Sequence, residues 1–341
     1  MRKPPPKLIL LGPQRLLPTL DRAIDSLGVT GRIAAVTAGW EERESEDQEL
    51  REHLGGRTLN LAAHARAEDV LQSDPELGQA LRARHDTLRR VQELYRMRLV
   101  HAMEAARELL RRRAANALAP ALAVGAANDA RAAQAAPVAS EVLRSAIDEE
   151  CGDAIRALRE LDAHHLRRVR AVHEEFEARW RPFERAAVAR HRDELKAALG
   201  ECEALCIAGG HVTILLNRLR LFGIVELARA LPIVAWSAGA MVLGERIVLF
   251  HDSPPQGAGD PEVLEIGIGR YAGVLPLPHA DKRLRLTDAA RVALFARRFE
   301  PDRCALLTSK TRLDWDGAHW SAHEDTRRLA SDGSLCWAGT P

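Results

Sequence analysis

Leu231-Pro-Ile-Val-Ala-Trp-Ser-Ala-Gly-Ala-Met241 is an apolar run that stops at a serine set among small residues. A strand that turns sharply into a helix pushes the side chain at its tip clear of the sheet, and the backbone folds back so tightly that only small neighbours fit. Ser237 has Ala235 two residues before it and Gly239 two after, one methyl away from the Gly-x-Ser-x-Gly pattern of a nucleophile elbow. On this reading Ser237 is a candidate nucleophile, Met241 fills core on the following helix, and Trp236 packs between strands.

Two other segments have the same grammar. Ala204-Leu-Cys-Ile-Ala208 reads as a buried strand that ends in Gly209-Gly210-His211, after which Val212, Leu215, Leu216, Leu219 and Phe222 recur at helical spacing. The glycine pair lets backbone N–H groups approach a ligand, and the helix start favours negative charge. Downstream, Tyr271-Ala-Gly-Val-Leu-Pro-Leu-Pro-His279 is a short apolar run that delivers a histidine at its end. In open α/β sheets the loops beyond the carboxyl ends of strands build sites, so His279 is a candidate base.

Gly209-Gly210, Trp236-Ser237-Ala238-Gly239-Ala240 and Pro278-His279, in this order and spacing, resemble the peptidase S51 group. These are the dipeptidase E and cyanophycinase-like serine hydrolases of the class I glutamine amidotransferase-like superfamily. The resemblance covers about half the chain. It implies a flavodoxin-like α/β fold, a mostly parallel sheet with helices on both faces. It also implies serine hydrolysis of an amide or peptide bond in a small peptide substrate, without a cofactor. Ser237 and His279 would be the catalytic pair, and the backbone N–H groups of Gly210 and Ala238 the oxyanion hole. A glutamine amidotransferase would carry cysteine at position 237.

The chain departs from the group at two points. His211 stands where the group often has Asn or Asp, so substrate choice does not transfer. The group places an acidic residue in a late strand and turn; here the matching position falls near Thr308 or Ser309. Asp314 and Asp316 lie close by, but Asp314-Trp-Asp-Gly317 reads more simply as a hairpin turn. An incomplete triad raises an alternative function, a catalytically weak or silent scaffold whose helical segment mediates association between proteins.

Around the site, His251-Asp252 follows a strand-like Ile247 to Phe250; His251 either lines the cleft or sits in a turn made by Ser253-Pro254-Pro255. Lys282, Arg283 and Arg285 are either solvated charges or binders of a substrate carboxylate, with Arg283 the candidate contact.

The remainder of the chain divides sharply. Lys7 to Gly12, Arg32 to Thr37 and Leu59 to Leu61 read as strands, with a helix over Leu16 to Leu27, the start of an alternating α/β pattern. The acidic stretch Glu41 to Glu52 reads as a solvated helix. From about residue 65 to 200 strand formers become rare. Leu88, Val91, Tyr95, Leu99, Met103, Ala106 and Leu110 mark one helical stripe, and Leu158, Leu161, Val169, Val172, Phe176 and Trp180 another. Pro120, Gly125 and Pro137 argue against one continuous helix and for a hairpin or bundle. The expected organisation is an α/β domain formed by residues 1–64 and 201–341, with 65–200 as a helical insertion serving as a lid or a dimerisation arm. His164, His165 and His173, interleaved with Arg167, Arg168 and Arg170, read as a solvated face rather than a metal site.

Composition sets the outer bounds. With 341 residues there is ample length for a core. Forty-nine basic against 48 acidic residues give a net charge of +1, no basis for expecting nucleic acid or an anionic membrane as partner. Five cysteines without a C-x-x-C pair point to a reducing compartment, and no apolar run approaches a membrane span, so a cytoplasmic location is expected.

Overall fold

The computed structural model describes residues 8–125, 141–252, 259–323 and 325–339. The expected turn at Ser253-Pro254-Pro255, the Pro137 break and Lys7 fall outside them.

The parallel strands form first in the chain: β1 (Leu8–Leu11), β2 (Arg32–Val36), β3 (Thr58–Asn60), β4 (Cys202–Ile207) and β5 (Ile233–Trp236). A hairpin of β6 (Arg246–Leu249) and β7 (Glu262–Ile266) follows, then β8 (Val274–Pro278), β9 (Arg303–Leu307), β10 (Arg312–Trp315), β11 (Trp320–His323), β12 (Arg327–Leu329) and β13 (Leu335–Trp337). The main sheet has the order β11-β10-β1-β5-β4-β2-β3. Its β1, β5, β4, β2 and β3 run parallel, while β10 and β11 close one edge antiparallel. The β4 and β5 strands lie side by side, with Leu205 opposite Ile233 and Ile207 opposite Ala235.

Alternation along the strands explains why the sheet is covered twice. Leu8, Leu10, Ala34, Val36, Leu205, Ile207, Ile233 and Ala235 enter one core. Their neighbours Ile9, Leu11, Ile33, Ala35, Ala204, Cys206, Val234 and Trp236 enter another across the sheet. The second core is capped by the helix Leu20–Ser26, which starts later than the sequence spacing predicts. Pro18 restricts the residue before it, leaving Leu16 and Leu17 exposed.

Between β3 and β4 the described residues contain helices and no strand. The helix Pro75–Gly125 is 51 residues long and returns as Glu141–Trp180. At 1.5 Å per residue the first arm spans about 75 Å. The expected hairpin is present, its first arm ending at Gly125, although Pro120 does not interrupt that helix. The two predicted stripes meet: Tyr95, Leu99, Met103 and Ala106 pack in one core with Ile155, Leu158, Leu161 and Phe176.

The base of this hairpin is fastened to the α/β domain by buried charge. Arg298, on the helix Ala289–Phe299, donates to both carboxylate oxygens of Asp162 at 2.8 and 2.7 Å, to Tyr95 Oη at 2.7 Å and to the Pro261 carbonyl at 2.6 Å. His173 bonds Glu265 of β7 at 3.0 Å, and His165 stacks on Tyr95 with ring centroids 4.3 Å apart. The solvated face expected here is therefore wrong for Asp162, His165 and His173, which are buried. Their partners come from distant parts of the chain, and Arg167, Arg168 and Arg170 between them are exposed. Among the described residues, no group of His, Cys, Asp and Glu is arranged to hold a metal ion, and no helix is long and apolar enough to cross a membrane.

Candidate active site

β5 ends at Trp236, and Ser237 takes φ 54° and ψ −124° before the helix Ala238–Leu243 begins. This is a costly conformation for a residue with a side chain, sustained only when its surroundings over-determine it. Those surroundings are the ends of β4 and β5. A Cβ on Gly239 would stand 2.2 Å from the Ile207 carbonyl oxygen, so only glycine lets the new helix sit against the neighbouring strand. The methyl of Ala235, which departs from the usual elbow pattern, is accommodated in a fully buried position.

The glycine pair after β4 faces the same point. A Cβ on Gly209 would lie 2.7 Å from Ser237 Cβ and 3.0 Å from its Oγ. Gly210, at φ +117°, packs on Gly39, whose carbonyl also accepts the His211 N–H at 2.7 Å. Among the described residues, the N–H groups of Gly210 and Ala238 have no hydrogen-bond acceptor.

No local signal in the sequence marks Gly39; its part in shaping the Gly209-Gly210 turn depends on a contact between distant loops. The loop that carries it is held from below. Asn60 Nδ2 donates to Thr37 Oγ1, to the Glu44 carbonyl and to Asp47. The Glu44 carboxylate accepts the N–H groups of His64 and Ala65 at the start of the helix Ala63–Ser73. The acidic stretch expected to be a solvated helix is thus partly internal: Glu44 and Asp47 are buried and tied to Asn60 and the start of the helix Ala63–Ser73.

His279 arrives on β8 and adopts a left-handed conformation, φ 58° and ψ 31°. Its N–H donates to the Leu307 carbonyl at 3.1 Å, an extension of the parallel β8–β9 pairing. Its Nε2 stands 3.5 Å from Ser237 Oγ, long for a hydrogen bond and within a small side-chain rotation of one. Burial, followed by the positive charges of Arg283 and Lys282, holds the imidazole below its ordinary pKa, favouring the neutral ring a base must have.

Among the described residues no carboxylate accepts a hydrogen bond from His279. Asp314 is taken by Arg312 at 2.7 Å and by His323 at 3.1 Å, and Asp316 accepts the N–H groups of Ala318 and His319 in the β10–β11 turn. Thr308, just past the Pro278–Leu307 pair, is level with His279. Asp252 is buried near the base, but its oxygens accept the Arg285 N–H at 2.7 Å and pair with Arg291 at 2.6 Å.

The remaining candidates fall at the edge of the same region. His211 is exposed and caps the helix Val212–Phe222, its Nδ1 accepting the Ile214 N–H at 3.3 Å. His251 is half-buried and precedes Asp252, whose N–H donates to the Arg283 carbonyl at 2.7 Å. Arg283 is half-buried and, among the described residues, forms no ion pair with a carboxylate. Lys282 and Arg285 are exposed, while Trp236 and Met241 are buried as the sequence predicts.

No known family matches the sequence, and no curated protein is similar to it. Several solved structures match the chain, among them the following two. A peptidase from an acI-B1 Actinobacterium is 14% identical with a TM-score of 0.46, over 99% of this chain and 96% of that one. A Listeria monocytogenes EGD-e protein assigned provisionally to peptidase E is 16% identical with a TM-score of 0.28, over 40% of this chain and 65% of that one. At these scores neither likeness bears on the chemistry, which rests on the geometry of the three turns.

Proposed function

We propose that the protein is a serine hydrolase that cleaves an amide or peptide bond in a small substrate, with Ser237 as nucleophile and His279 as base. The observation that carries this reading is the convergence of Ser237 Oγ, His279 Nε2 and the glycine turn at one point, with Ser237 held in a strained conformation. His279 takes the hydroxyl proton as Oγ attacks the carbonyl carbon, and the N–H groups of Gly210 and Ala238 receive the negative charge that develops on oxygen. The imidazolium returns the proton to the leaving amine, and water then hydrolyses the ester on Ser237 by the same route. No cofactor enters this sequence.

Arg283 supports a substrate with a free carboxylate, because an unpaired guanidinium beside the base is suited to forked recognition of that group. In this reading His211 and His251 would contact the rest of the substrate. The test is turnover of aspartyl dipeptides and β-linked aspartyl peptides by the unaltered protein and by Ser237→Ala. Release of the amine product by the first and not the second supports the reading; equal rates contradict it.

A second reading concerns the helical hairpin as an association surface between copies of this chain. Leu94, Met97 and Val100 recur at a spacing of three on the long helix and are all more than half exposed. Light scattering after size exclusion decides it: a dimer that becomes a monomer in Met97→Glu supports this role, and a monomer in the unaltered protein removes it.

A further inference from the structure

The C-terminal half of the helix Val212–Phe222 borders a cavity of about 250 Å³ at the root of the helical hairpin, roughly the length of that helix away from Gly210 and His211. Leu81, Phe176, Phe183 and Leu221 give it apolar walls; Arg84 and Asn217 supply polar groups, with Arg181, Arg220, Glu177 and Glu184 also on the lining.

Arg84 has no ion-pair partner among the described residues. Its guanidinium stands over the Phe176 ring at 4.5 Å, and one Nη–H reaches Asn217 Oδ1 at 3.3 Å. Its Nε is buried without a hydrogen-bond acceptor, and among the described residues no carboxylate comes within ion-pair distance. The buried carboxylate nearby, Glu265, is engaged by His173 at 3.0 Å and by Arg220 at 3.5 Å. Two guanidinium groups therefore share one carboxylate in a region shielded from water. Burial, with the charge of Arg220 second, pulls the Arg84 pKa down to about 10, which leaves it a cation at neutral pH. Arg84 is half-buried, and a charge withdrawn from water without an ion-pair partner is costly. The two acids on the rim do not pair with it: Glu184 is 3.6 Å from Arg181, and Glu177, beyond ion-pair distance, offsets its charge only through space, as Glu265 does.

We propose that this cavity binds a small organic monoanion, a carboxylate on an apolar body about the size of one aromatic ring, with the carboxylate on Arg84 and Asn217. The guanidinium fork offers its unused N–H groups to the carboxylate oxygens, and the Asn217 amide nitrogen is a further donor. Leu81, Phe176, Phe183 and Leu221 accept the apolar part. Arg84 is the cation without an ion-pair partner, since Arg181 pairs with Glu184 and Arg220 with Glu265, and beside these apolar walls it fits a monoanion of this kind better than a strongly hydrated phosphate. This site does not depend on the hydrolase reading.

Benzoate is the probe, titrated into the full-length protein by calorimetry, with inorganic phosphate as the comparison. Saturable one-to-one binding with Kd on the order of 1 mM is expected, since so small a ligand has few atoms to contribute. Arg84→Met should weaken it at least about tenfold, the value of one charge-assisted bond, while Glu177→Gln should bind as well or better because a competing negative charge is gone. Arg84→Lys, which keeps the charge and loses the fork, should fall between. Absence of saturable benzoate binding to the unaltered protein overturns the proposal whatever the variants do. So does equal binding by folded Arg84→Met, or phosphate binding as tightly as benzoate.

Discussion

Gly209 lies so close to Ser237 that a methyl group on it would stand 2.7 Å from the serine Cβ, inside any real contact distance. The neighbour cannot yield cheaply, because it belongs to a turn already held in a strained conformation by β5 and the helix behind it. Gly209→Ala should therefore displace Ser237 rather than unfold the chain. A displacement near 1 Å costs about 10²-fold in rate when reacting groups must be aligned. The rate of Ser237 modification by a fluorophosphonate, with circular dichroism as the control on folding, measures it. Labelling at the unaltered rate would mean that the glycine contact does not position the serine.

The pH dependence of the same labelling follows from His279. Its pKa is depressed by burial first and by Arg283 and Lys282 next. The base is therefore neutral at and above the ordinary histidine value of about 6.5, and the labelling rate should fall only on the acid side of it. Arg283→Gln removes one of the depressing charges and should move the acid limb to higher pH. The sign for stability is the same: below the unfolded pKa the unfolded chain takes up the proton first, so the contribution present above that value is lost as pH falls through the folded pKa. An acid limb that does not move in Arg283→Gln would show that this guanidinium does not act on His279.

The orienting acid can be tested by adding one. Thr308 is level with His279 across the β8–β9 pairing, whereas Asp314 is committed to Arg312 and His323. Thr308→Asp should raise peptide turnover, up to the roughly 10⁴-fold that an orienting carboxylate is worth in a complete triad. Ser309→Asp, on the exposed next residue, should do less, and Asp314→Asn should leave the rate as it was. Loss of activity in Asp314→Asn would assign that residue the role it is denied here.

The fastening of the hairpin gives a stability prediction. Asp162→Ala strands Arg298 in the interior, which costs about 3–5 kcal/mol when one partner of a buried pair is removed. Replacing both, as Asp162→Leu with Arg298→Met, should recover most of it because no charge is left behind. Urea denaturation followed by circular dichroism reads the difference. A single substitution that leaves the midpoint unchanged would show that the network does not hold the two parts together.

The parts legible in the sequence are those fixed by local pattern. Near-continuous apolar runs in β1, β2, β4 and β5 announce a sheet covered on both faces, the two helical stripes announce a hairpin, and glycines beside an apolar run announce the turns at Gly209 and Ser237. What sequence reading misses depends on partners that only the fold supplies. Asp162 and Arg298 are far apart along the chain, as are His173 and Glu265, so buried ion pairs look like surface charge among the arginines that flank them. Gly39 and Glu44 escape notice for the same reason: one is paired with Gly210 and the other with the amides of His64 and Ala65. The placing of β8 and β9 in a sheet of their own with β12 and β13 also had no local signal, although the position of His279 at the end of β8 did.

Activation of Ser237 by His279 is read out by treating the protein with a fluorophosphonate and locating the adduct by peptide mass spectrometry. One adduct is expected, on Ser237, abolished in Ser237→Ala and slowed at least about 10²-fold in His279→Ala, the usual worth of a general base. No adduct, an adduct on another residue, or an equal labelling rate in His279→Ala would contradict it.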